Sequence, residues 1–258
     1  MKIGVCLKQV PASDSKIKVN ADQNGVELSD VKWETNPYDE FALEAGLQLL
    51  DAKQASDVIV FTVGGADAEA RLKDALARGA TSAIRIDDPG LAGADSLGIA
   101  KALAAAAKAE GCDVVLAGKQ AIDDDNAQVP AMIAEILGWP QVLVVDQLEL
   151  TDSSFKAWRD AGSGSRDVVE GSLPVVISTD KGLNEPRYAK LRGIMKAKRK
   201  KVPVKSLGDL GVAAPTAHVQ LTAWGEPPAR PAGRILDGDP ASAAAELVRL
   251  LREEAKVL

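Results

Sequence analysis

Two apolar patterns take turns along the first half of the chain. Residues 57–63 (DVIVFTV), 82–86 (SAIRI) and 113–117 (DVVLA) are short apolar runs, the form taken by a strand buried on both faces. Residues 2–7 (KIGVCL) open the chain in the same way. Between these runs, residues 67–78, stopped by Gly79, and residues 94–109 carry apolar side chains at helical spacing. NPYDEFALEAGLQLL begins a further helix. Asn36 is its cap, Pro37 its first helical position, Asp39 and Glu40 lie near the positive end of its dipole, and Leu43, Leu47 and Leu50 share a side. Strand alternating with helix predicts a mostly parallel sheet covered on both faces, an α/β fold. Ahead of that helix, KIKVNADQNGVELS predicts a hairpin with Asn24-Gly25 as its tight turn.

After residue 140 the pattern changes. VLVVDQLEL, FKAWRDA and SRDVVEG, separated by DSS and GSG, predict antiparallel strands at the sheet edge, before LPVVIST returns to a buried run. In LNEPRYAKLRGIMKAKRKK, Pro186 and Gly193 interrupt any helix, which predicts an exposed loop or one frayed turn over residues 187–194. Beyond residue 202, TAWGEPPARPAGRIL, with Pro227, Pro228 and Pro231, reads as an extended arm with no core of its own. It ends in a helix over about 240–256 with Leu247, Leu250, Leu251 and Val257 on its apolar side. The expected division is an α/β domain over 1–205 and an arm with its helix over 206–258.

Composition narrows the function. With 258 residues, 46% of them hydrophobic, the chain can bury a large core. Its net charge of −6 argues against general nucleic-acid binding. The apolar stretch 98–107 contains Lys101 and cannot span a bilayer. The first ten residues predict a strand where a signal peptide would need its apolar region. The expectation is a soluble, unexported, cytoplasmic protein. The two cysteines, Cys6 and Cys112, fit buried thiols in a reducing compartment better than a disulfide. The single histidine, His218, lies in the turn-rich tail, which removes most Ser-His, Cys-His and His-metal chemistry.

Candidate chemistry concentrates in residues 113–140, DVVLAGKQAIDDDNAQVPAMIAEILGWP. The apolar run ends at Gly118, and from Asn126 onward Val129, Ile133, Ile136 and Leu137 recur at helical spacing. A helix opening at the carboxyl end of a parallel strand turns free N–H groups toward the crevice where open α/β sheets bind anionic ligands. The loop between them holds Lys119, Gln120, Asp123, Asp124 and Asp125. One Asp or Asn126 as helix cap is the simple reading of the carboxylates. A magnesium site is weaker, because adjacent loop side chains rarely converge on one octahedral ion. Gly64-Gly65 lacks a G-x-G-x-x-G pattern, and no Walker-type loop occurs. The basic run Lys196, Lys198, Arg199, Lys200 and Lys201 reads as a solvated face or a docking surface for an acidic partner, with Leu191 as an exposed anchor among charges.

The chain resembles the beta subunit of electron transfer flavoprotein in four places, in the family's order: VCLKQV followed by KIKV, NPYDEFALEAGLQL, GKQAIDDDNAQV followed by GWP, and LNEPRYAKLRGIMKAKRKK. The last two are highly specific, and with GDLGV and the proline-rich arm the resemblance covers nearly the whole chain. It implies a Rossmann-like domain whose arm wraps an alpha subunit, forming the non-catalytic half of a heterodimeric electron carrier. In such a pair FAD lies mainly in the alpha subunit and AMP has a structural role in the beta subunit. Electrons pass from flavin dehydrogenases to a quinone reductase. Carried over by residue, the AMP contacts are Cys6, Asn36, Pro37, Tyr38, Asp39, Val63, Gly118, Lys119, Gln120, Ala121, Ile122, Asp123, Asp124, Asp125, Asn126, Ala127, Gln128 and Val129, with Tyr38 also near the flavin. Leu191 becomes the dehydrogenase anchor, with Arg187, Tyr188, Ile194, Met195 and Lys196 around it.

The chain departs from this family at two positions. Where the family usually shows Gln-Thr-Gly-Gln or Gln-Val-Gly-Pro, this chain has Gln128-Val129-Pro130-Ala131, so one backbone donor is missing where a phosphate is expected. Proline is nonetheless at home in a helix's first turn. Ser13 stands where some members carry a tyrosine close to the flavin. The alternatives left open are an electron-bifurcating relative with a second FAD that reacts with NADH, and a free-standing adenine-nucleotide-binding protein.

Overall fold

The computed structural model describes residues 1–229 and 232–258, so Pro231 of the expected arm lies outside the described residues. Strand β1 (Lys2–Cys6) is followed by a small antiparallel pair, β2 (Gln9–Pro11) with β5 (Trp33–Thr35), which brackets a hairpin of β3 (Lys18–Val19) and β4 (Val26–Glu27). Then come α1 (Pro37–Asp51), β6 (Asp57–Val63), α2 (Glu69–Arg78), β7 (Ser82–Ile86), α3 (Ser96–Ala109), β8 (Val114–Gly118) and α4 (Val129–Leu137). An antiparallel excursion follows through β9 (Gln141–Leu150), β10 (Ser154–Gly162) and β11 (Ser165–Ser172) before β12 (Val175–Thr179) re-enters the sheet. Helix α5 (Leu191–Arg199), β13 (Val204–Lys205) and α6 (Pro240–Glu253) complete the order.

Among the described residues the main sheet has nine strands, in the order β11-β10-β9-β12-β8-β1-β6-β7-β13. From the central β1 the chain moves outward through β6 and β7, then returns to the other side of β1 through β8 and β12. That reversal of direction opens a crevice at the carboxyl ends of β1 and β8. Alternate residues of β1 feed the two cores. Ile3 and Val5 pack with α1 and α2 residues such as Leu43, Leu47 and Leu72, whereas Cys6 packs with Phe61, Ile133 and the alanine-rich face of α3. Both faces are therefore covered, as the apolar runs required. Both cysteines are free and buried.

Two expectations need correction. The Asn24-Gly25 pair does not make a two-residue turn: Asn20 N–H donates to the Gly25 carbonyl at 3.0 Å, the Asn20 side chain bonds Asn24 at 2.6 Å, and the left-handed residue is Gln23, φ 54°. Asn20 thus closes a longer loop with its own side chain. Residues 191–199 form a helix in which Gly193 is an interior residue. A Cβ there would stand 2.1 Å from the Ala77 carbonyl oxygen, so this glycine lets α5 lie on the α2 backbone rather than breaking the helix.

Candidate functional site

The crevice is built from the start of α1, the end of β1 and the segment after β8. Asn36 occupies the cap position of α1 but makes no side-chain cap bond. Its Nδ2 donates to the Gln120 carbonyl at 2.8 Å and its Oδ1 accepts from Ile122 N–H at 3.2 Å. A residue expected to cap the start of a helix therefore holds the crevice loop, residues 119–128, to the helix mouth. Asp39, one turn on, joins two strand ends: Oδ2 accepts from Lys8 N–H at 2.7 Å and Oδ1 from Gly118 N–H at 2.8 Å. Burial pushes its carboxyl up to about 7, against the pull of those two N–H donors. A Cβ on Gly118 would stand 2.5 Å from Asp39 Oδ1 and 2.6 Å from Tyr38 Cβ, so the approach of α1 to β8 requires glycine.

The opposite wall is electrostatic. Lys8 Nζ lies 2.8 Å from Asp123 Oδ1 and 2.9 Å from Asp124 Oδ2, and holds Asp124 below the usual carboxylate range despite partial burial. Both carboxylates are paired with this one lysine. Asp125 accepts from Gln120 Nε2 at 2.7 Å, and both Asp125 and Ala127 adopt left-handed backbone, φ 50° and 52°. Lys119 lies 3.0 Å from Asp180 and 5.0 Å from the centre of the Tyr38 ring, a cation–π distance. Thr179 Oγ1 donates to the Tyr38 carbonyl at 3.0 Å. Cys6 is close enough for the Asp39 charge to add to the burial that raises its thiol, and Val63 ends β6 alongside.

Helix α4 starts at Val129, the first of its apolar positions and later than a cap at Asn126 or an Asp would place it, and Gln128 at its cap position makes no side-chain cap bond. Neither Asn126 nor an Asp caps it. Asn126 N–H instead donates to Asp124 Oδ1 at 3.2 Å, within the loop. Pro130 sits in the first turn, where a missing N–H costs no helical bond. An uncapped first turn facing a crevice is an anion-binding arrangement. Beside the loop lies a narrow cleft of about 150 Å³ lined by Lys119, Gln120, Ala127, Pro130, Leu143, Val144 and Ser178. Val144 there has φ 64°, a strained conformation for a β-branched residue, fixed where its N–H donates to Ser178 Oγ at 2.9 Å.

The structure thus brings together Asn36, Tyr38, Asp39 and residues 118–125. Lys8, Thr179 and Asp180 join them unforeseen; the one available signal was their place at or just past the carboxyl ends of strands. The expected docking residues stand apart from the crevice. Tyr188 and Leu191 are 92% and 74% exposed, and Met195 and Lys196 line an open groove of about 430 Å³ with Arg192, Arg199 and Lys200. Arg187 is turned inward, its guanidinium held by Glu44 and Asp51. No helix among the described residues is long and apolar enough to cross a membrane.

Residues 24–210 match the model of the electron transfer flavoprotein domain. Over its full length the chain is 39% identical to a Bradyrhizobium diazoefficiens protein named electron transfer flavoprotein subunit beta, matched over all of its own length. It is 36% identical to the Bacillus subtilis protein of the same name, again over the whole of both chains. The human protein of that name is 39% identical over 236 residues, 90% of this chain and 91% of its own.

Proposed function

Because this chain belongs to the electron transfer flavoprotein beta-subunit family, we propose that it is the AMP-holding half of a heterodimeric electron carrier rather than an enzyme. Its alpha-subunit partner holds most of the FAD, and the pair takes electrons from flavin dehydrogenases and gives them to a quinone reductase. The observation that carries the AMP reading is the crevice itself: an uncapped α4 first turn opposite a wall whose side chains are already committed. Asn36 and Asp39 bond backbone groups, and Lys8 neutralises Asp123 and Asp124. The N–H groups at the start of α4 are what such a crevice offers a phosphate. Gly118 supports the fit, since any side chain there would fill the junction of α1 and β8.

The chain's own residues have simple tasks in this reading. Cys6, Val63 and residues 36–39 and 118–129 surround the nucleotide. Tyr38 stands at the helix mouth, on the side offered to the partner's flavin. AMP brings no redox chemistry; it fills and orders the crevice. Leu191 is the dehydrogenase anchor, and the lysines and arginines of α5 supply a polar rim. The exposed apolar side chains of the arm, Val219, Leu221 and Ile235, favour a subunit with a partner over a free-standing nucleotide binder.

Pro130 removes a donor from the α4 first turn, which makes the phosphate site the part of this reading to test. The deciding experiment is to co-purify the chain with its alpha subunit, denature the complex and identify the released nucleotides by mass and amount. One FAD with one AMP is expected. Two FAD per pair would make the chain a subunit of a bifurcating system, and one FAD without AMP would mean that Pro130 closes the phosphate site.

A further inference from the structure

The exposed docking segment is pinned from behind by two sets of contacts. The first comes from α1. Glu44, 4% exposed, accepts a forked pair of bonds from Arg187, Nε to Oε2 at 2.8 Å and Nη2 to Oε1 at 2.9 Å, and also takes the Arg187 backbone N–H at 3.2 Å. Arg187 Nη1 reaches Asp51 at 2.7 Å, and Asn184 Nδ2 donates to the Phe41 carbonyl at 2.9 Å. The second set comes from α2 and the turn that follows it. Gly193 lies against Ala77, Lys73 Nζ donates to the carbonyls of Ala197 and Lys200, and Lys200 Nζ donates to the Thr81 carbonyl at 2.8 Å. Tyr188 and Leu191, the most exposed large apolar side chains of the segment, fall between the two sets.

A bidentate pair between a guanidinium and a buried carboxylate fixes orientation as well as distance. We propose that Glu44, acting through Arg187, is the positioning residue of the docking segment: it holds residues 184–190 in the form that presents Leu191 to a dehydrogenase, while touching neither the dehydrogenase nor the crevice. An anchor ordered in advance spends less binding free energy on ordering when the partner arrives. The proposal rests on the reading of Leu191 as the anchor. Glu44 and the crevice residue Asp39 belong to the same helix, which Asn36 precedes, so the distinguishing feature of a positioning role is that only docking changes.

The test uses the complete heterodimer carrying Glu44→Gln, Arg187→Lys or Leu191→Ala. Flavin reduction by a flavin dehydrogenase is followed at increasing heterodimer concentration, beside reduction by dithionite, which needs no docking. Glu44→Gln should raise the apparent KM about tenfold, the equivalent of losing one well-ordered contact. The rate at saturation, the dithionite rate and the nucleotide content should stay at wild-type values. Arg187→Lys keeps the charge but loses the fork, and should fall between. A wild-type KM in Glu44→Gln, with Leu191→Ala impaired, overturns the positioning role alone. A wild-type KM in Leu191→Ala overturns the anchor reading and the proposal with it. A joint loss of saturating rate and nucleotide in Glu44→Gln overturns the proposal in favour of a general packing role. If Glu44→Gln does not fold, the KM of Arg187→Lys decides in the same way.

Discussion

Asp39 ties the ends of β1 and β8 together with one carboxylate, and its burial makes stability depend on pH. Burial raises its pKa from 3.8 to about 7, so between those values the folded chain holds a proton that the unfolded chain has released. The group's contribution to stability is therefore complete below about pH 4 and is lost as pH rises through 7. Asp39→Asn removes this dependence. The difference in unfolding free energy, wild type minus variant, should fall steadily from pH 4 to 7 in urea titrations, and a flat difference would rule the coupling out. At the neighbouring position, Gly118→Ala forces a methyl group to within 2.5 Å of Asp39. A loss of about 1–3 kcal/mol is expected from such overpacking, read by denaturant midpoint. The sequence made Asn36 and Asp39 legible as helix-start residues, but not what they bond. Their partners, Gln120, Ile122 and Gly118, are about 80 positions away, and nothing local in the pattern encodes such a pairing.

At the scale of elements, strands and helices of the first half could be read because each carries its own apolar period. Errors gathered where one backbone lies on another. Gly193 looks like a helix breaker in isolation, and only the presence of α2 turns it into a packing residue. Gly193→Ala should lift α5 off α2 and cost about 1–3 kcal/mol, with the loss visible as a lower unfolding midpoint. The late start of α4 has a related cause. Asp123, Asp124, Asp125 and Asn126 are engaged with Lys8, Gln120 and one another, leaving no residue to cap the helix earlier. Lys8→Met would leave those carboxylates facing each other. Since Lys8 and Asp124 are both 43% exposed, the cost in global stability should stay within about 1 kcal/mol. The sensitive readout is local: amide exchange over residues 121–127 should accelerate, and unchanged exchange would mean that the loop holds itself.

Over the whole molecule, the alternation of elements predicted a parallel sheet but not its strand order, because order depends on which distant runs pair. The crevice follows from that order, at the point where the chain reverses direction across β1. The C-terminal segment is secured at its root. Leu207 is buried, a Cβ on Gly98 would stand 2.9 Å from the Pro215 side chain, and Asp95 both caps α3 and accepts from His218 N–H at 2.6 Å. Farther out, Trp224 N–H donates to the Gln23 carbonyl at 2.8 Å, while Leu221 and Ile235 stay 72% and 87% exposed. Removing residues 220–258 should leave the α/β unit folded by circular dichroism and abolish stable association with the alpha subunit in gel filtration. Survival of the pair would show that the arm is dispensable for assembly.

The two buried cysteines make the sheet its own reporter. Cys6 ends β1 at the crevice, and Cys112 lies just before β8, at the opposite end of the neighbouring strand. Burial raises both thiols, that of Cys112 to about 12, so neither is a thiolate at ordinary pH. A disulfide dye added to the intact protein can react only as fast as the structure opens to admit it. Both lie in the core that α3 covers, so the rate of labelling would time the lifting of that helix layer from the sheet, with no engineered probe.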